Sequence, residues 1–149
     1  MNGQTGSRKR IVVGVDGSEA SLEALRTARD LARLKDCSIE AVTAWHHPVM
    51  VADFPAVQWD PEVDARRILA RAVQEAFGGD VPPDLRQTVT EGQAARVLAD
   101  ASRGAEMLVV GSRGRGGFTG LLLGSVSSAV ASHARCPVLI VHDRERDSR

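Results

Sequence analysis

Short apolar runs alternate along this chain with longer stretches that carry an apolar residue every three or four positions. Residues 11–15, 107–110 and 138–141 are continuous, largely β-branched runs, the pattern of strands covered on both faces by helices. Residues 39–45 alternate more strongly and read as a fourth strand. Residues 85–89 are weaker and more polar, which suits a strand at the edge of a sheet.

Between these runs the period changes to that of a helix. Residues 19–34 place Leu22, Leu25, Ala28, Leu31 and Ala32 on one stripe, with Ser18 as N-cap. Residues 61–77 follow Asp60 at a capping position and Pro61 at the first helical position, carry Ala65, Ile68, Leu69, Ala72, Val73 and Ala76, and stop at Gly78. Residues 93–103, with Ala94, Val97, Leu98 and Ala101 before Gly104, predict a third helix, and residues 125–134, stopped by Cys136-Pro137, a fourth. The order βαβαβαβαβ predicts an α/β protein: a single-domain, open, doubly wound parallel sheet of five strands, Rossmann-like, with helices on both faces. Ligands of such sheets sit outside the carboxyl ends of the strands, which directs attention to three loops: Asp16-Gly17-Ser18, residues 46–60, and residues 111–124.

Composition narrows the partners. A chain of 149 residues fits one domain, expected at residues 9–142 between a disordered tail at 1–8 and a charged tail at 143–149. Lys plus Arg and Asp plus Glu both total 19, and aromatic residues make up only 3%, so neither a nucleic-acid footprint nor a stacking platform for bases is expected. Cys37 and Cys136 stand far apart and outside any metal-ligand spacing, and read as reduced thiols. The sequence carries neither an apolar leader nor a membrane-length run, and the expected location is the cytoplasm.

The densest chemical signal is Gly111-Ser112-Arg113-Gly114-Arg115-Gly116-Gly117-Phe118-Thr119-Gly120-Leu121-Leu122-Leu123-Gly124-Ser125, which leaves a buried strand and ends at a helix start. Glycines let successive main-chain N–H groups converge on an anion, and the first amides of the helix, at Ser125, Val126 and Ser127, favour negative charge at the same place. A P-loop would need Lys where this stretch has none, and the dinucleotide fingerprint starting at Gly114 would need glycine at Thr119. Other features point less far. His46-His47 lack a third ligand at metal spacing, and Ser127, Ser128 and Ser132 lie outside any G-x-S-x-G nucleophile turn. Residues 48–59 form either an ordinary packed or partner-contacting loop or a lid over a bound base.

The loop fits G-x2-G-x9-G-[ST]: Gly111, Gly114, nine residues from Arg115 to Leu123, then Gly124-Ser125. In this it resembles the ATP-binding branch of the universal stress protein family (UspA-like). The likeness extends to Ile11-Val12-Val13-Gly14-Val15-Asp16-Gly17-Ser18, the Glu91-Gly92 turn, and Cys136-Pro137-Val138-Leu139-Ile140-Val141. The resemblance implies strand order 3-2-1-4-5, ATP across the ends of strands one, two and four, and a homodimer paired through the last strand. By matching position it implies that Gly14 and Asp16 lie near the adenosine, and the main chain at Ala44 near the adenine edge. Gly111 and Ser112 would approach the ribose, with Gly114, Gly116, Gly117, Gly124, Ser125 and Val126 around the phosphates. Arg113 and Arg115 either grip phosphate oxygens or solvate the loop, and Asp16 is either a nucleotide contact or a turn residue supporting the helix start. Mg2+ is implied only by the charge of ATP.

The expected function is therefore that of an ATP-binding protein of the stress response, with the nucleotide as a regulatory or structural ligand that shifts conformation or the choice of a protein partner. No catalytic residue is assigned. A slow ATPase or phosphotransferase is the first rival, and a nucleotide-free dimeric interaction module the second.

Overall fold

The computed structural model describes residues 8–48, 59–114 and 123–143. Within them the expected alternation is present as β1 (Arg10–Gly14), α1 (Glu19–Lys35), β2 (Ser38–Trp45), α2 (Pro61–Phe77), β3 (Arg86–Glu91), α3 (Ala94–Ala101), β4 (Met107–Gly111), α4 (Ser125–His133) and β5 (Val138–Val141). The strands form one parallel sheet in the order β3-β2-β1-β4-β5, so the weak polar run does lie at an edge.

The three central strands are apolar on both faces because helices cover both. On one side Ile11, Val13, Ile39 and Ala41 pack against Leu22, Leu25 and Ala28 of α1 and Leu69, Val73 and Phe77 of α2. On the other, Val12, Val42, Leu108 and Val110 meet Val97 and Leu98 of α3 and Val130 of α4. Full burial of each larger side chain contributes about 1.5–3 kcal/mol, which is why these runs specify the sheet.

Local chemistry sets the ends of the helices. The Ser18 hydroxyl accepts the Ser21 N–H at 3.2 Å, and the Asp60 carboxylate accepts those of Glu62 and Val63 at 3.0 and 3.3 Å, ahead of Pro61 at the start of α2. Sequence and structure differ most at α3, which spans Ala94–Ala101 rather than 93–103. The Ser102 hydroxyl donates to the Ala99 carbonyl at 2.6 Å and accepts the Arg135 N–H at 2.8 Å, an arrangement that competes with continued helix. The chain then turns at Gly104, where φ is +74°. β3 runs to Glu91 rather than stopping at 89 because pairing with β2 continues to Trp45↔Glu91, a tertiary effect that local polarity hides.

Where it is described, the basic cluster before the first strand makes ion pairs. Arg10 opens β1, Arg8 pairs with Asp84 at 2.6 Å and Asp36 at 2.8 Å, and Lys9 lies 3.4 Å from Glu106. Residues 1–7 and 144–149, and residues 49–58 of the stretch considered as a lid, lie outside the described residues.

Candidate functional site

A cavity of about 630 Å³ opens at the carboxyl ends of β1, β2 and β4, where the strand order reverses on either side of β1. Its walls differ in chemistry. Val42, Ala44, Ala94, Leu98 and Val110 make an apolar crevice between β2 and α3. Asp16, Ser18, Arg113 and Gly114 form a polar edge, and Gly124, Ser125, Val126 and Ser127 bring the start of α4 to the opposite side.

The polar edge is built by ties between two loops. Asp16 accepts the Ser18 N–H at 2.9 Å, so its role as a turn residue is real, while its side chain also lines the cavity. The Ser18 hydroxyl reaches the Arg113 carbonyl at 3.5 Å, and a Cβ built on Gly114 would run into Asp16 Oδ2. Glycine at 114 therefore makes room for the Asp16 carboxylate of this protein.

The same test separates the other glycines. A Cβ at Gly14 would stand 2.7 Å from Leu98 Cδ1, and one at Gly111 would stand 2.6 Å from Ala20 Cβ and 2.8 Å from its carbonyl carbon. These two serve helix-on-strand packing. At Gly124 the nearest atom would be Arg113 Cα at 3.4 Å, an ordinary contact, so the protein itself tolerates a methyl there.

The neck of the glycine loop closes on itself. Ser112 donates its N–H to the Val141 carbonyl at 2.8 Å and accepts the Gly124 N–H at 2.7 Å. Ser112 is buried and does not line the cavity, unlike the other described residues expected at the site. Arg115, Gly116 and Gly117 lie outside the described residues. Ser127 donates to the Gly111 carbonyl at 2.5 Å and pins the start of α4 to the end of β4. Gly124, as N-cap, supplies no side chain to the first amides of α4, which leaves that end without the internal acceptor that Ser18 gives α1.

At the apolar end the main chain of β2 carries the polar information. The Val42 carbonyl accepts the Val15 N–H at 2.9 Å on the β1 side, and the Trp45 carbonyl accepts the Gly92 N–H at 2.7 Å on the β3 side. Strand alternation therefore turns the N–H and carbonyl of Ala44 toward the β1 side, past the end of β1 at Gly14. The Val15 carbonyl there is taken by the Thr43 hydroxyl at 2.8 Å.

Sequence reasoning found the loops and the first amides of α4 and missed Val15, Val42, Ala94, Leu98 and Val110 as wall residues, and the side chain of Ser127 as a tie to β4. Their apolar or small character marks burial, not the object they are buried against. One available signal was the pairing of Ser127 with Val130 at i, i+3, which places the serine on the inward stripe of α4.

The remaining reactive groups stand apart from this cavity. Burial pushes the Cys37 and Cys136 thiols above their ordinary pKa, so neither is poised as a thiolate. The His47 ring packs edge-on against Trp45 with centroids 5.3 Å apart.

Residues 7–142 match the model of the Universal stress protein family. Two universal stress proteins of Mycobacterium tuberculosis are 37% identical over 137 residues and 42% identical over 134, covering 89% and 87% of this chain. The chain spans slightly less than half of those relatives, 45% and 44% of their lengths. Among solved structures, a universal stress protein in complex with cAMP superposes with a TM-score of 0.67 at 28% identity, covering 93% of this chain and 99% of that one. An Archaeoglobus fulgidus universal stress protein in complex with dAMP shares the fold at a TM-score of 0.68 and 21% identity, covering 91% and 98%. With the fold, the strand order and the match across nearly all of the sequence in agreement, this chain belongs to the universal stress protein family.

Proposed function

We propose that the cavity binds an adenine nucleotide, ATP with Mg2+ in the cell, and that the nucleotide acts as a regulatory or structural ligand in a stress response. The observation that carries this reading is the presence, in one cavity, of an α4 N-terminus without a side-chain cap and an apolar crevice edged by the main chain of Ala44. The helix end suits a phosphate, with Arg113 at the polar edge as a charge-assisted donor. The crevice suits a flat base. An N–H and a carbonyl two bonds apart along one strand match the acceptor and amino group of adenine, whereas guanine offers the reverse order. The cAMP and dAMP complexes of similar proteins support the ligand class.

Asp16 would face the ribose, and Gly114, Gly124, Ser125 and Val126 would surround the phosphates. Arg115, Gly116 and Gly117 are proposed to join them from the sequence pattern. The triphosphate supplies charge that Mg2+ screens when bound, and no reacting step is assigned to this chain.

β5 lies at the sheet edge as a half-buried apolar strand, which supports a homodimer paired through it. No helix among the described residues is long and apolar enough to cross a membrane, and we place the action of the protein in the cytoplasm. Isothermal calorimetry with ATP, AMP and GTP tests the reading. Binding of ATP and AMP with GTP at least about tenfold weaker is expected from the loss of two paired hydrogen bonds; equal binding of GTP overturns the base assignment, and no binding of any nucleotide overturns the function. Phosphate release above background would favour the slow ATPase instead.

A further inference from the structure

α3 is a lightly anchored wall of the cavity. It has only eight residues, of which Val97 and Leu98 are buried, and its N-cap Gln93 makes no side-chain capping bond. Yet it supplies Ala94 and Leu98 to the apolar crevice, and Leu98 lies against Gly14 so closely that a Cβ there would collide with it. Something must fix its seat.

The opposite end of α3 shows what does. Arg10, the first residue of β1, donates from Nη2 to the Ala101 carbonyl at 2.7 Å and the Arg103 carbonyl at 3.2 Å, where a helix carries its partial negative charge. Its Nε donates to Glu40 Oε1 at 3.1 Å, and the other oxygen of Glu40 accepts the Thr88 hydroxyl at 2.8 Å. One guanidinium thus ties the end of α3 to β1, β2 and, through Glu40, β3. The side chains of Arg10 and Glu40 are 33% and 16% exposed, so this pair is less screened than the exposed pairs of Arg8. The start of α4 is held by other means, through Ser127 to the Gly111 carbonyl and Gly124 to the Ser112 carbonyl, both at the β4 end.

We propose that Arg10 is a positioning residue for the base-binding wall: from the amino end of β1, about 13 Å along the strand from Gly14, it sets where Ala94 and Leu98 stand, while the phosphate-binding end is held chiefly by its hydrogen bonds to β4. The inference rests on the adenine-nucleotide reading above.

The experiment compares wild type with Arg10→Met, Arg10→Lys and Thr88→Val, each checked for native circular dichroism, by calorimetry with adenosine and ATP and by amide NMR at saturating ATP. Arg10→Met is expected to weaken adenosine and ATP by the same factor, about threefold to tenfold, with altered amide shifts at Ala94 and Leu98 and clearly smaller changes at Ser125 and Val126. Arg10→Lys should recover part of the loss, since an ammonium still reaches a carbonyl. Thr88→Val should act in the same direction and less, and stands in if Arg10→Met fails to fold. Unchanged adenosine affinity in Arg10→Met, or shifts at Ser125 as large as those at Ala94, overturns the proposal. If wild type binds neither ligand, the nucleotide reading itself fails, and that outcome is seen before any variant is compared.

Discussion

The two faces of the sheet are built to different standards. The α1/α2 face carries helices of 17 residues each, with seven buried positions on each helix. The α3/α4 face carries helices of eight and nine residues with two buried positions each. The first face holds most of the buried apolar surface, and the second borders the cavity. Short helices with few buried residues are the elements able to shift at low cost, and here both bring their N-terminal ends to the candidate ligand. The difference teaches that stability and recognition are separated across the sheet, so that substitutions on the two faces should fall into different classes of effect.

The largest expected effect lies on the thick face. Leu25 is fully buried in α1, and Leu25→Ala should lower the unfolding free energy by about 2–5 kcal/mol. Urea denaturation measures this, and the nucleotide affinity of the folded fraction should be close to wild type. A large loss of affinity without loss of stability would break the separation.

A smaller effect of the opposite kind is expected at the cavity. Gly124→Ala adds a methyl that meets Arg113 Cα at only ordinary contact distance, so the melting temperature should stay within about a degree or two. Affinity for ATP should fall by about tenfold, since the methyl occupies ground beside the phosphate. Gly114→Ala is a poorer test, because its methyl strikes Asp16 and disturbs the loop before any ligand arrives.

The smallest effect concerns pH. Glu106 sits between Lys35 at the end of α1 and Lys9, and their hydrogen bonds hold its carboxyl below the usual carboxylate range. A carboxylate with a depressed folded-state pKa stabilises the fold above its ordinary pKa, and that contribution is lost as the pH falls through the depressed value. Glu106→Gln should therefore melt slightly below wild type at neutral pH, and the gap should close as the pH falls below the ordinary carboxylate range. A gap that widens on acidification would contradict the assignment.

Much of this architecture was legible in the residues themselves. The runs at 11–15 and 107–110 marked buried strands, that at 138–141 marked a strand that proves to be a half-buried edge, and Ser18, Asp60, Pro61 and Gly78 marked helix ends by chemistry that acts within a few residues. The glycine spacing located the loop that reaches the cavity. What stayed hidden depends on contacts between distant segments. Gly14 and Gly111 line the cavity and also make room for Leu98 and Ala20, a second use that nothing local reveals. Ser112 was expected beside the ligand, yet its main chain is spent joining β5 to Gly124. Nothing local marks the role of Arg10, because its partners, Glu40 and the Ala101 carbonyl, are 30 and 91 positions away.

The most direct test follows backbone amide signals during a titration with ATP. Shifts at Ser125, Val126 and Ser127 together with Ala44, all saturating with one dissociation constant, are the expected result. Saturable binding that leaves those four amides unmoved would contradict a nucleotide held between the start of α4 and the end of β2.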